Sequence, residues 1–151
     1  MFEAQTEWIA PDNFPDLSGY KLVAIDLETK DPDLKTKGSG SVIGNGEIIG
    51  VAVAVDGWCK YYPFGHEGGG NLDKKKILDW VKTICESDST KIFHNAMYDV
   101  CWLRSYGIKI NGHIMDTMVM ASIVNENRLR YTLNALSWEY LGERKSESTL
   151  F

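Results

Sequence analysis

The stretch that most restricts the fold is Glu47–Val55 (EIIGVAVAV), apolar after its first residue and followed at once by Asp56-Gly57 and Trp58–Pro63 (WCKYYP). A short, continuous run of this kind reads as a buried strand. Asp-Gly between two such runs is a strong hairpin signal, so Trp58–Pro63 is expected to return antiparallel. Tyr20–Asp26 (YKLVAID) reads as an earlier buried strand. Beyond the hairpin the period changes. Ile77, Leu78, Val81, Ile84 and Cys85 form one apolar stripe of a helix over Asp73–Ser87, with Asn71 or Asp73 as its cap. Lys91–Phe93 follows as a short strand, Ala96–Tyr106 as a helix ended at Gly107, and Ile108–Met115 as an extended segment. Asp116 caps a helix over Thr117–Val124, and Thr132–Leu141 is a last helix ended by Gly142. A hairpin that enters a sheet and continues through helical crossovers predicts an α/β fold, a mixed β-sheet flanked by helices.

The chain of 151 residues has the length of one domain. Residues 1–20, punctuated by Pro11 and Pro15, read as a lead-in strapped down by Trp8, Phe14 and Leu17; residues 21–151 form the domain. Thr29–Gly46 and Gly65–Asn71 are glycine-containing loops, and Glu143–Phe151 is a polar tail. At 44% hydrophobic and 25% charged residues the composition is that of a globular chain. No run of about 18 apolar residues is present to span a membrane, and the N-terminus lacks the basic start and apolar stretch of a secretory signal. The net charge of −5 argues against nucleic-acid binding through a broad basic face, although it allows a grip on a few nucleotides through metal ions. Cys59, Cys85 and Cys101 contain no CxxC and imply neither a disulfide framework nor a zinc site. They are expected to be reduced, with Cys85 and Cys101 in the core, as in the cytoplasm of a bacterial or phage-infected cell.

Asp26 and Glu28 lie two residues apart at the end of the first strand, so both side chains point to one face. Two like charges at that spacing are tolerated when a divalent cation lies between them, and an all-oxygen donor set suits Mg²⁺ or Mn²⁺. A strand that simply surfaces into solvent would look the same. Asp99 stands one turn into the helix that follows Asn95, where an acid also complements the helix dipole.

Taken together, Asp26-Leu27-Glu28-Thr29 at a strand end and Asn95-Ala96-Met97-Tyr98-Asp99 opening a later helix resemble the first two motifs of the DEDD-superfamily 3′–5′ exonucleases. The similarity is greatest to the proofreading domains of phage-type family A DNA polymerases. Gly107-Ile108, Asp116-Thr117-Met118, Tyr131-Thr132-Leu133 and Tyr140-Leu141-Gly142 extend it over roughly Leu22 to Gly142. The resemblance implies a ribonuclease-H-like fold and a metal-dependent exonuclease that removes nucleotides from DNA 3′ ends. It implies two ions per site, with Asp26 touching both, Glu28 holding one and orienting the attacking water, and Asp99 holding the second. Thr29 and Asn95 are implied to contact the terminal nucleotide, with turn and cap chemistry as the alternative. The implied partner is a single-stranded DNA 3′ end, and no membrane.

The family carries a third motif, Tyr or His followed four residues later by Asp, on a helix near the domain's end. No such pair follows Asp99. The chain is therefore expected to lack its last helix, to have one impaired metal site, and to expose a sheet surface suited to a C-terminal polymerase segment or a second copy. A ribonuclease-D-type exoribonuclease and a fragment that binds without cutting are the alternatives. Of the remaining candidates, Asp116 reads as a cap rather than a replacement ligand, and His94 as a satisfied rim histidine. His66, in GHEGGG, lacks the pattern of a phosphate loop. Lys30, Lys35 and Lys37 belong to a solvated loop or a flap over DNA. Arg128 and Arg130 face phosphates or pair with Glu126, and Trp80 and Trp138 are expected to be core or helix-edge residues.

Overall fold

In a computed structural model that describes residues 8–143, strand β1 (Leu22–Lys30) is followed by α1 (Gly40–Ile43) and the strand pair β2 (Glu47–Val55) and β3 (Trp58–Pro63). The chain continues through α2 (Lys74–Cys85), β4 (Thr90–Phe93), α3 (Ala96–Ser105), β5 (Ile114–Asp116), α4 (Thr117–Val124) and α5 (Leu133–Leu141). The sheet order is β3-β2-β1-β4-β5. β1, β2 and β3 form an antiparallel meander, while β4 and β5 run parallel to β1. This is the mixed, helix-flanked sheet that the change of period predicts, with a ribonuclease-H-like arrangement. Among the described residues no helix is long and apolar enough to cross a membrane.

Alternation along β1 divides the sheet into two faces. Val23, Ile25 and Leu27 are buried, while Ala24, Asp26 and Glu28 on the other face are half-buried. The buried face joins Val51, Val53 and the apolar stripes of α2 (Ile77, Val81, Ile84) and α3 (Val100, Leu103) in one core. The described part of the lead-in is fastened by its aromatics. Phe14 stacks on Tyr62 at 5.3 Å and meets Trp80 edge-on at 5.6 Å. Tyr62 Oη donates to the Asn13 carbonyl and Trp80 Nε1 to that of Pro15. Residues 1–7 and 144–151, which include most of the expected polar tail, lie outside the described residues.

The structure moves several boundaries. β1 continues to Lys30, because Glu28, Thr29 and Lys30 still pair with β2, so Asp26 and Glu28 lie within the strand rather than at its end. The expected loop after it contains the single-turn helix α1, whose first amide is held by both carboxylate oxygens of Asp31. Asp73, not Asn71, caps α2 by accepting from the Lys76 amide. Of the segment expected to be extended, Ile108–Met115, only Ile114 and Met115 pair with β4, and the pairing runs on to Asp116. The cysteines are free; Cys85 is buried, Cys101 half-buried and Cys59 exposed. Burial pushes the Cys85 thiol up to about 12, so it remains an unreactive packing group.

Candidate active site

β1 outruns β4. Their pairing stops at Ala24–Ile92, while β1 continues for six more residues. The chain turns toward β2 on one side of this fork and toward β5 on the other. Such a switch point, outside the carboxyl ends of parallel strands, is where open α/β sheets form a crevice. Asp26 and Glu28 stand on the strand that borders it, and α3 begins directly after β4 on its other side.

Asp99 closes the fork. Its Oδ1 accepts the Leu27 amide at 3.2 Å across 72 residues of sequence, a donor that β4 is too short to satisfy. The three acids are thus brought to one locus, since the amide that holds Asp99 lies between Asp26 and Glu28. Asp99 is only 4% exposed. Burial, and next the charge of Asp26, push its carboxyl up to about 7 despite the Leu27 amide. Burial first, and the like charge second, disfavour its ionised form, and a cation beside it would offset both. A β-bulge follows Glu28, where the register skips Ile49. Bulges of this kind re-aim side chains beside active sites.

The donor chemistry fits Mg²⁺ or Mn²⁺, hard ions that take one or two carboxylates and complete their shell with water and substrate phosphate. The three carboxylates are not drawn into a preformed cage: among the described residues no group of three His, Cys, Asp or Glu side chains has ligand spacing.

Thr29 sits beside the acids, but its hydroxyl is engaged. It meets Tyr98 Oη at 2.7 Å, and Tyr98 donates in turn to Asp31 at 3.0 Å. Asn95 occupies the turn from β4 into α3 with φ of 68° and makes no side-chain cap, so the capping alternative does not hold for it. Asp116 supplies that cap instead. Its Oδ2 accepts the Ala96 amide at 2.7 Å and its Oδ1 the Asn95 amide at 3.1 Å, while Oδ1 also accepts the Met118 amide of α4. One carboxylate therefore caps two helices. Burial works against its charge, but the four backbone amides prevail and hold its carboxyl below the ordinary value.

His94 is satisfied on both nitrogens, donating from Nε2 to the Tyr131 carbonyl and meeting the Thr117 hydroxyl at Nδ1. Arg128 forks onto Glu139 and lies over the Tyr140 ring, so its partner is not Glu126. Lys30 pairs with Glu67, and Lys37 with Asp33. Trp80 is buried and Trp138 exposed. Residue-type reasoning missed Tyr98, Asp31 and Tyr61. Tyr61 lines a cavity of about 550 Å³ on the half-buried sheet face, together with Ala24, Asp26, Ala52, Ala54 and His94. Strand register was the signal that would have found it, since Asp26, Ala52 and Tyr61 are successive partners across the sheet.

A family described as 3′–5′ exonuclease matches residues 4–150. A DNA-directed DNA polymerase of Pseudomonas phage M6 is 32% identical over 157 residues, covering 96% of this chain and 23% of the relative. A Salmonella phage PMBT28 DNA polymerase, DpoZ, is 28% identical over 87% of this chain and 19% of its own length. The chain thus spans less than a quarter of the curated relatives it matches. Among solved structures, Brucella melitensis NrnC with bound Mg²⁺ superposes with a TM-score of 0.62 at 19% identity, over 93% of this chain and 62% of that one. At that identity the likeness speaks for the fold.

Proposed function

The chain belongs to the 3′–5′ exonuclease family, and from that premise we propose that it removes nucleotides from DNA 3′ ends as the proofreading part of a phage-type family A DNA polymerase. The observation that carries the reading is the buried Asp99 carboxylate, held on the Leu27 amide between Asp26 and Glu28. In this reading Asp26, Glu28 and Asp99 would hold Mg²⁺ or Mn²⁺, one of the two expected ion sites being impaired by the missing third motif. When bound, the ions supply a water activated for attack and neutralise charge on the leaving oxygen. The chain's residues provide the frame. β1 fixes the spacing of Asp26 and Glu28, and the Leu27 amide orients Asp99. The Asp116 cap sets the start of α3, and thereby the position of Asp99. Asn95, exposed at the mouth of the fork, faces the terminal nucleotide. Thr29, through Tyr98 and Asp31, steadies the wall beside it.

A second reading, binding without cutting, draws on the lack, after Asp99, of a Tyr or His followed four residues later by Asp. One assay separates the two: the full chain with Mn²⁺ on single-stranded DNA labelled at its 5′ end, beside an RNA of the same sequence and beside Asp26→Ala. The exonuclease reading expects a shortening ladder on DNA that Asp26→Ala abolishes. A ladder on RNA alone would move the substrate to the ribonuclease-D class. Binding with no ladder would leave the second reading.

A further inference from the structure

The carboxylates have a neighbour that the family reading leaves without a role. Asp26 pairs with Ala52 and Ala52 with Tyr61, while Glu28 pairs with Gly50. A Cβ built on Gly50 would stand 2.0 Å from Tyr61 Oη and 2.6 Å from its Cζ. The phenol therefore lies over Gly50, at the strand position opposite Glu28, in space that any larger residue there would fill. Gly50 has no positive φ, so its lack of a side chain serves this approach and not a turn.

The hydroxyl is also held from the far side. Oη forms a short hydrogen bond with His66 Nε2, and the two rings meet edge-on at 5.9 Å. His66 lies in the glycine-rich loop after β3, and that loop is built to hold it. At its entrance the amides of Phe64 and Gly65 both donate to the carbonyl of Ile49, the bulge residue, at 2.9 Å. The His66 amide donates to Asn71 Oδ1 at 2.8 Å, and Asn71 Nδ2 returns a bond to the His66 carbonyl at 2.6 Å. Glu67 then ties the loop to Lys30 at the end of β1. The bulge that follows Glu28 and the loop that carries His66 are thus one connected piece.

We infer that Tyr61, oriented by His66, is a substrate-binding residue whose hydroxyl donates to a phosphate oxygen of the strand seated on Asp26 and Glu28. The inference rests on the exonuclease reading. An acidic site repels a phosphodiester, and a cation there still leaves phosphate oxygens that need donors. A lysine would be drawn into an ion pair with the acids, whereas a neutral hydroxyl gives a hydrogen bond without that competition. Burial, and then the charges of Glu28 and Asp26, push the Tyr61 phenol well above its ordinary range, so it stays protonated and able to donate. His66 in the tautomer that carries its proton on Nε2 donates into Oη, and this leaves the phenolic hydrogen to turn toward the substrate. The same arrangement gives the GHEGGG segment a purpose that its lack of a phosphate-loop pattern had denied it.

The test uses the full chain and a 5′-fluorescein pentathymidylate, with binding read by anisotropy in Ca²⁺ and cleavage read in Mn²⁺. Tyr61→Phe keeps the ring and removes only the hydroxyl. Gly50→Ala keeps the hydroxyl and displaces the ring. Each is expected to weaken binding about tenfold, the worth of one hydrogen bond to a charged group. The double variant should be no weaker than either single one, and His66→Gln should fall between wild type and Tyr61→Phe. The urea midpoint of Tyr61→Phe should match the wild type, which a merely structural tyrosine would not allow. If Tyr61→Phe and Gly50→Ala bind and cleave like the wild type while Asp26→Asn loses both, the inference is overturned and the exonuclease reading stands. If the wild type neither binds nor cleaves the oligonucleotide, that reading fails and the inference falls with it.

Discussion

Asp99 shows how one side chain links stability to the site. Its carboxyl value of about 7 lies above the 3.8 of an unfolded aspartate, with burial the larger cause and Asp26 the next. The folded chain binds the proton more tightly than the unfolded one, so stability is fullest below about pH 4, declines as pH rises toward 7, and stays reduced above it. The cost at pH 8 is on the order of 4 kcal/mol. Asp99→Asn keeps an acceptor for the Leu27 amide and removes the charge. It is expected to raise the urea midpoint at pH 8 and to match the wild type near pH 4. Mn²⁺ should raise the wild-type midpoint at pH 8 and leave that of Asp99→Asn in place. Equal midpoints for the two proteins at both pH values would show that Asp99 carries no such burden.

Among the elements, α3 and α4 share one carboxylate. An N-cap is worth about 1–2 kcal/mol, so Asp116→Ala should cost roughly 2–4 kcal/mol, while capping one helix alone would cost half of that. Equilibrium urea unfolding of Asp116→Ala beside Thr132→Ala, which removes the single cap of α5, gives the comparison. Double the loss is expected at Asp116, and equal losses would refute the shared cap. The α4 half of this cap was legible in the sequence, because Asp116 immediately precedes an apolar helical run and a cap is a local matter. The α3 half was not, because Asn95 looks like a cap and the group that replaces it lies 21 residues on. The same division holds elsewhere. The hairpin, the α2 stripe, and the shared face of Asp26 and Glu28 follow from neighbours in sequence and from strand alternation. The extension of β1 past Asp26, the bulge at Ile49, and the placing of Tyr61 over Gly50 depend on register between strands, which no single run of residues encodes. The segment around His66 lacks a phosphate-loop pattern, and its contact with Tyr61 arises only once β3 and its loop have folded back.

Across the whole molecule, the two halves of the site differ in how far apart their parts lie along the chain. β1 pairs with β2 and β2 with β3, each its immediate successor among the strands, whereas the Leu27 amide waits for an acceptor 72 residues away. Local pairings close small loops and form early, and distant ones must wait for larger loops to close. The meander should therefore set Asp26, Glu28, Gly50 and Tyr61 in place before β4 docks and α3 delivers Asp99. Pulse-labelled hydrogen exchange during refolding would follow this order directly, with the amides of Val51 and Val53 expected to gain protection before that of Leu27. Simultaneous protection would show a single concerted step. In the expected order, the repulsion between Asp26 and Asp99 enters only at the last stage of assembly. The Leu27 amide then becomes a clock for the moment at which a folded sheet turns into a charged site.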